Sequence, residues 1–121
     1  MNFDDELLEQ LTRLAEQKPL LECDGLTRLL SYVLRLNGIE HLTMVGTLQL
    51  TATEDVLPHH CWIQIGDSVL DFRVRMWLGN IESIPHGLFI PSRWAVTYSG
   101  HALDMQISRD VFRLLVSTGS P

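Results

Sequence analysis

Two stretches near the start of the chain repeat apolar residues at three- and four-residue spacing. In FDDELLEQLTRLAEQ, residues 3–17, they are Leu7, Leu8, Leu11, Leu14 and Ala15. That spacing marks one face of a helix. Asp4, Asp5 and Glu6 fall in its first turn, where the helix dipole favours acids, and Lys18-Pro19 ends it. In CDGLTRLLSYVLRLN, residues 23–37, the face is Leu26, Leu29, Leu30, Val33 and Leu34, with Leu36 near its edge. Asn37-Gly38 is a C-terminal stop, and Cys23 falls at or just before the first turn of this second helix.

From Leu42 onward the apolar period shortens to two, the period of a strand. Leu42 to Thr51 alternates, and Thr53-Glu54-Asp55 reads as a loop. Residues 60–65 and 68–74 form a predicted hairpin around Gly66-Asp67. Glycine at the first central position suits a type II′ turn. One or two strands lie within 88–98, interrupted at Pro91, and another is expected over 102–107. Ser108 is placed to cap a last helix over 109–117. No repeat, linker or low-complexity segment divides the chain. The expected fold class is α+β, with N-terminal helices packed on an antiparallel β-sheet in one domain over 1–121.

Composition narrows the possible functions. With 45% hydrophobic and 20% charged residues, the 121-residue chain has enough apolar material for a core. A net charge of −6, with nine unclustered Lys and Arg, argues against nucleic acid as a partner. The acidic start carries no signal-like apolar segment, and no apolar run is long enough to span a bilayer. A cytoplasmic location without a membrane partner is expected, and export by a route other than a classical signal stays open. Cys23 and Cys61 are too few for a disulfide framework. Reduced thiols are the expectation, and a single bridge between these two is the alternative.

The chemistry concentrates in PHHCWIQIGDSVLDF, Pro58 to Phe72. If the turn holds two residues, Ile65 faces Ser68, Gln64 faces Val69, Trp62 faces Asp71 and His60 faces Arg73. Facing residues share one side of the sheet, so His60 and Asp71 become diagonal neighbours with Cβ atoms about 7 Å apart or less. A three-residue turn would break that match. An Asp on one imidazole nitrogen fixes the tautomer and leaves the other nitrogen free for chemistry. Cys23, at a helix N-terminus, is placed where a thiolate is stabilised. His59 points to the other face of its strand and is the rival to His60. Zinc held by Cys23, His59, His60 and Cys61 has suitable residue types but poor spacing, because adjacent strand residues diverge. No metal or cofactor is expected.

These residues resemble the core of the transglutaminase-like (papain-like) cysteine protease superfamily. Its pattern is a Cys opening a helix, an Arg and a Gly-Ile pair after it, a Gly in a strand, His-x-Trp opening a strand, and an Asp one strand later. Here Cys23, Arg35, Gly38-Ile39, Gly46, His60-Cys61-Trp62 and Asp71 stand in that order. The small bacterial leader peptidases that trim lasso-peptide precursors look similar in size and in this core. The resemblance covers residues 23–72 and favours His60 over His59. It implies Cys23 as nucleophile, His60 as general acid and base, and Asp71 as the group orienting His60.

Gln17 precedes Cys23 by six residues, the spacing at which papain-like enzymes place an oxyanion-hole Gln. Its position before Pro19 also suits a plain surface residue. Trp62, His59 and His86 are candidates to line a substrate cleft, whereas Trp77 and Trp94 read as core. The chain departs from the superfamily pattern at Cys61, where Ala is usual, at Gln64 for Glu, at Phe72-Arg73 for Pro-Thr, and at Glu40-His41 for Pro-Ala. The expected activity is cleavage of an amide or peptide bond in a protein or peptide substrate. A transamidase or deamidase with the same triad, or a non-catalytic protein-binding module on this fold, are the alternatives. The oligomeric state is left open.

Overall fold

Asp4 starts the first helix by accepting a hydrogen bond from the Leu7 N–H at 2.9 Å, so α1 runs Asp5–Gln17 rather than from residue 3. Phe3 stays outside the helix and packs on the core. The second helix, α2, is Cys23–Leu36. It closes with Gly38 N–H bonded to Arg35 O and Ile39 N–H bonded to Leu34 O, a paired arrangement that satisfies carbonyls in its last turn. The computed structural model describes residues 3–51, 54–79 and 82–117. Thr53, at the start of the expected loop, lies outside them.

The strands are β1 (Leu42–Leu50), β2 (Val56–Ile65), β3 (Ser68–Asp71), β4 (Gly87–Phe89) and β5 (Val96–Ala102). They form one antiparallel sheet in the order β4-β3-β2-β1-β5. A short helix, α3 (Val74–Leu78), follows β3, and α4 (Arg109–Ser117) follows β5. The fold is therefore α+β, with four helices and five strands among the described residues. None of those helices is long and apolar enough to cross a membrane.

The hairpin has the register that a two-residue turn requires, with Ile65 opposite Ser68, Gln64 opposite Val69 and Ile63 opposite Leu70. Gly66 has φ +58°, and Asp67 does not share the positive φ, which makes the turn type II′. Between Gly46 and Leu48 of β1, the facing residues on β2 run from His60 to Leu57. The extra residue lies on β2, so a bulge directly precedes His60. Pro58, which has no N–H for a ladder, sits in that bulge.

Four expected strands change. The strand expected over 60–65 starts earlier, at Val56. The run over 68–74 ends at Asp71, because the Asp71 carboxylate accepts the Arg73 N–H at 3.0 Å and turns the chain into α3. Pro91 does split 88–98, but through a 3-10 turn at Pro91–Arg93, and β5 begins only at Val96. Residues 103–107 are not a strand: Asp104 accepts the Gln106 N–H at 3.0 Å and bends the chain there. The last helix matches its expected range, with Ser108 Oγ accepting the Val111 N–H.

The sheet buries both faces. Ile63 and Leu70 pack with Leu7, Leu11, Leu26, Leu29, Leu30 and Leu34 of α1 and α2. Phe112 of α4 joins this layer and stacks on Tyr32 at 4.3 Å between ring centroids. On the other face, Leu48, Trp62, Val69, Phe89 and Val96 pack with Val74 and Ile84. That explains the consecutive buried residues at 62–63 and 69–72, which depart from simple in-out alternation.

Candidate active site

Cys23 is the first residue of α2 and is half-buried. Its position is set by Arg73, whose guanidinium donates to Leu21 O at 2.7 Å, Lys18 O at 2.7 Å and Ala15 O at 3.2 Å. These bonds fix the turn that delivers Cys23. The first helical bond of α2 runs from the Leu26 N–H to Glu22 O. The N–H groups of Cys23, Asp24 and Gly25 therefore have no partner within the helix and point from its positive end.

The pairing of β3 with β2 extends from Ile65–Ser68 as far as Ile63–Leu70. Beyond that pair the Cys61 N–H meets no β3 carbonyl, and it donates to Cys23 Sγ at 3.4 Å. The sulfur thus occupies the break where β3 leaves β2. The side chains of His60 and Cys61 both come within interaction range of it.

His60 is fully buried, and its Nε2 is 2.5 Å from Asp71 Oδ2. Tyr98 on β5 donates its hydroxyl to the same oxygen at 2.8 Å, while Oδ1 takes the Arg73 N–H. Asp71 is thereby held on both oxygens. His60 Nδ1 is buried and falls short of regular hydrogen-bond geometry. The group it faces is the Cys23 thiol, close enough for each to shift the other. Such contacts often tighten only when substrate is bound.

Burial disfavours the His60 cation, but the bond to Asp71 and the pairing with Cys23 overcome it and push His60 up to about 9. Burial likewise works against a Cys23 thiolate. The His60 contact and the Cys61 N–H outweigh it, holding Cys23 below its ordinary value. Cys61 moves the other way, up to about 12, through burial and then the charges of Cys23 and Asp24. Tyr98 is raised by burial and by Asp71, so it remains a proton donor. The geometry and charge favour a Cys23 thiolate beside a His60 imidazolium.

The structure brings Cys23, His60 and Asp71 together and leaves the other candidates apart. His59 is exposed. Gln17 is exposed at the last residue of α1 and takes part in none of the site's hydrogen bonds. Trp62 is 2% exposed and cannot line an open cleft. It forms the wall behind His60, with its ring edge-on to Tyr98 at 4.8 Å. His86 is exposed, lies edge-on to Phe72, and is held below its ordinary value by burial and by Arg75. Gly87, beside His86, pairs with Asp71, so His86 flanks the site without joining its hydrogen bonds. Trp77 and Trp94, expected in the core, are 52% and 36% exposed.

His41 is held on both ring nitrogens. Its Nδ1 is 2.7 Å from Ile39 O and its Nε2 2.7 Å from Ser31 Oγ. Both residues border a cavity of about 390 Å³ that also reaches Arg35 and Asp104. It lies at the C-terminal half of α2, at the opposite end of that helix from Cys23. Among the described residues, no group of three or more His, Cys, Asp or Glu is placed to hold a metal ion.

Sequence reading missed Tyr98 and Arg73. Tyr98 belongs to the far edge strand, and its contact with Asp71 depends on how β5 pairs with β1. No local pattern announces that pairing. No family model matches the chain, and neither a curated protein nor a solved structure is significantly similar to it.

Proposed function

We propose that this protein is a cysteine hydrolase that cleaves an amide or peptide bond through Cys23, His60 and Asp71, on a core of the transglutaminase-like (papain-like) kind. The observation that carries the reading is His60, buried between the Asp71 carboxylate and the sulfur of Cys23. A buried imidazole with one nitrogen anchored and the other facing a thiol at a helix start is suited to activating that thiol.

In this reading the Cys23 thiolate attacks the substrate carbonyl carbon. Negative charge moves to the carbonyl oxygen, where the N–H groups at the start of α2 are available to receive it. His60 gives its Nδ1 proton to the leaving amine as the C–N bond breaks, which leaves a thioester on Cys23. Water then attacks the thioester. His60 takes its proton, and the acid and free thiolate are released. Asp71 keeps the imidazole in place and balances its charge, and Tyr98 and Arg73 keep Asp71 in place.

The reading is tested by incubating the protein with a peptide library and with activated acyl esters, then measuring intact mass at short times. An acyl group bound to Cys23, lost again in water and absent from Cys23→Ala, is the expected result. A protein with a reactive Cys23 that forms no acyl adduct with any carbonyl substrate would contradict hydrolysis.

A further inference from the structure

The Cys61 thiol has no part in the proposed hydrolysis, yet it sits beside the nucleophile on its own strand. The Cys61 backbone nitrogen is 3.4 Å from Cys23 Sγ, and both cysteines are free and half-buried. The two thiols also lie close enough for the charge of one to act on the other. Disulfides require Cα atoms within about 7 Å. Here the sulfur of Cys23 already lies against the backbone nitrogen bonded to the Cα of Cys61. That contact joins the start of α2 to β2 at the position a bridge would span.

We propose that Cys23 and Cys61 form an oxidation site for hydroperoxides, in which Cys23 is oxidised first and Cys61 resolves it as a reversible intramolecular disulfide. The proposal rests on the thiolate of the hydrolase reading, but not on any carbonyl chemistry.

The steps balance. The Cys23 thiolate attacks the terminal oxygen of the peroxide. An S–O bond forms, the O–O bond breaks, and the departing alkoxide or hydroxide takes the proton of His60. Cys23 is now a sulfenic acid and the peroxide has been reduced by two electrons. The Cys61 sulfur then attacks Cys23 Sγ, an S–S bond forms and the S–O bond breaks. The hydroxide leaves as water, with the proton from the Cys61 thiol passing through His60. Two thiols and one hydroperoxide yield one disulfide, one alcohol or water, and one further water.

Cys61 is suited to wait for this step. Burial and the Cys23 charge keep it protonated in the resting protein, so it does not compete as a nucleophile. Conversion of Cys23 to a neutral sulfenic acid removes that neighbouring charge and eases ionisation of Cys61. Without a resolving thiol, a sulfenic acid can be oxidised further to sulfinic acid, which ordinary thiols do not reverse. A backbone nitrogen can also trap a sulfenic acid, and the Cys61 amide is placed to do so. The experiment must therefore separate the two products.

Wild type and Cys61→Ser are treated with hydrogen peroxide, with folding checked by circular dichroism. Each sample is divided, one part is reduced with dithiothreitol, and free thiols are alkylated and mapped by mass spectrometry. In wild type, Cys23 and Cys61 should lose alkylation together, a Cys23–Cys61 linked peptide pair should appear within one molecule, and dithiothreitol should restore both. In Cys61→Ser, Cys23 should be trapped by dimedone in samples that contain it, and in samples without it should gain two oxygens, with most of its alkylation not recovered.

The proposal is overturned if wild-type Cys23 passes to sulfinic acid while Cys61 stays free. It is also overturned if Cys61→Ser gives an equally reversible product, which would assign resolution to the backbone amide. Alkylation at mildly acidic pH, measured on the same samples before peroxide, reads thiolate activation separately. Fast alkylation without a disulfide counts against this inference alone. Slow alkylation counts against the hydrolase reading as well.

Discussion

At the residue scale the site depends on His60. Its role follows from two neighbours that the sequence reveals by different rules. Asp71 was legible because a two-residue turn fixes strand parity, and the register of the hairpin is the one that parity requires. Cys23 was legible because helix 23–37 begins there. What could not be read locally is how Asp71 is held. The Tyr98 hydroxyl and the Arg73 N–H arrive through β5 and through the turn after β3. If the triad hydrolyses a substrate, His60→Ala and Asp71→Asn should each lower turnover by about 10²–10⁴-fold, the usual share of positioned acid–base catalysis. Steady-state rates on the best substrate check this. Tyr98→Phe keeps the ring packing and removes a hydrogen bond to a charged acceptor. It should cost about 1.5–3 kcal/mol of stability, read by urea denaturation.

At the scale of elements, the site is a junction between a helix start and a break in a sheet. The helices were legible from their apolar spacing. The end of β3 was not, because apolar alternation continues through Val74 while the Asp71 side chain and the buried Arg73 divert the backbone. Arg73 joins the strand carrying Asp71 to the turn carrying Cys23, so its replacement should disturb both. Arg73→Met should lose about 1.5–3 kcal/mol for each charge-assisted bond not remade, and Cys23 should alkylate more slowly at low pH. The close approach of β1 and β5 sets a second constraint. A Cβ on Gly46 would lie 2.1 Å from Ser99 O, and one on Gly100 would lie 2.9 Å from the Trp62 ring. Gly46→Ala should therefore force strand separation behind His60 and destabilise the fold by about 1–3 kcal/mol or more, measured by the thermal midpoint.

For the whole molecule, burial on both sheet faces places a charged pair in a dry setting, and stability must then follow pH. His60 has an ordinary value of 6.5 and a folded value of about 9. The stability it supplies is complete below about 6.5 and is lost as pH rises through about 9. Cys23 works in the opposite sense: its folded value lies below 9.0, so its share is present above 9.0 and is lost as pH falls through the folded value. Replacing Cys23 isolates the first branch. The thermal midpoint of Cys23→Ala should fall as pH rises above 6.5 and complete that fall below the wild-type value of about 9, because the Cys23 contact that helps raise His60 is gone, and the slope should flatten when Asp71→Asn is added. The fold class and helix-first order were readable from period and turn chemistry. The crossing of β5 to the far edge beside β1 was not, since it joins strands separated in sequence by the whole hairpin.

The most direct test of the central claim is the pH dependence of iodoacetamide alkylation, read separately at Cys23 and Cys61, in wild type and His60→Ala. An unpaired thiol titrates near 8.5. Cys23 should react fast well below that pH, Cys61 should stay slow, and His60→Ala should remove the low-pH reactivity of Cys23. A Cys23 that titrates like a free thiol, with a profile unchanged by His60→Ala, would contradict the claim.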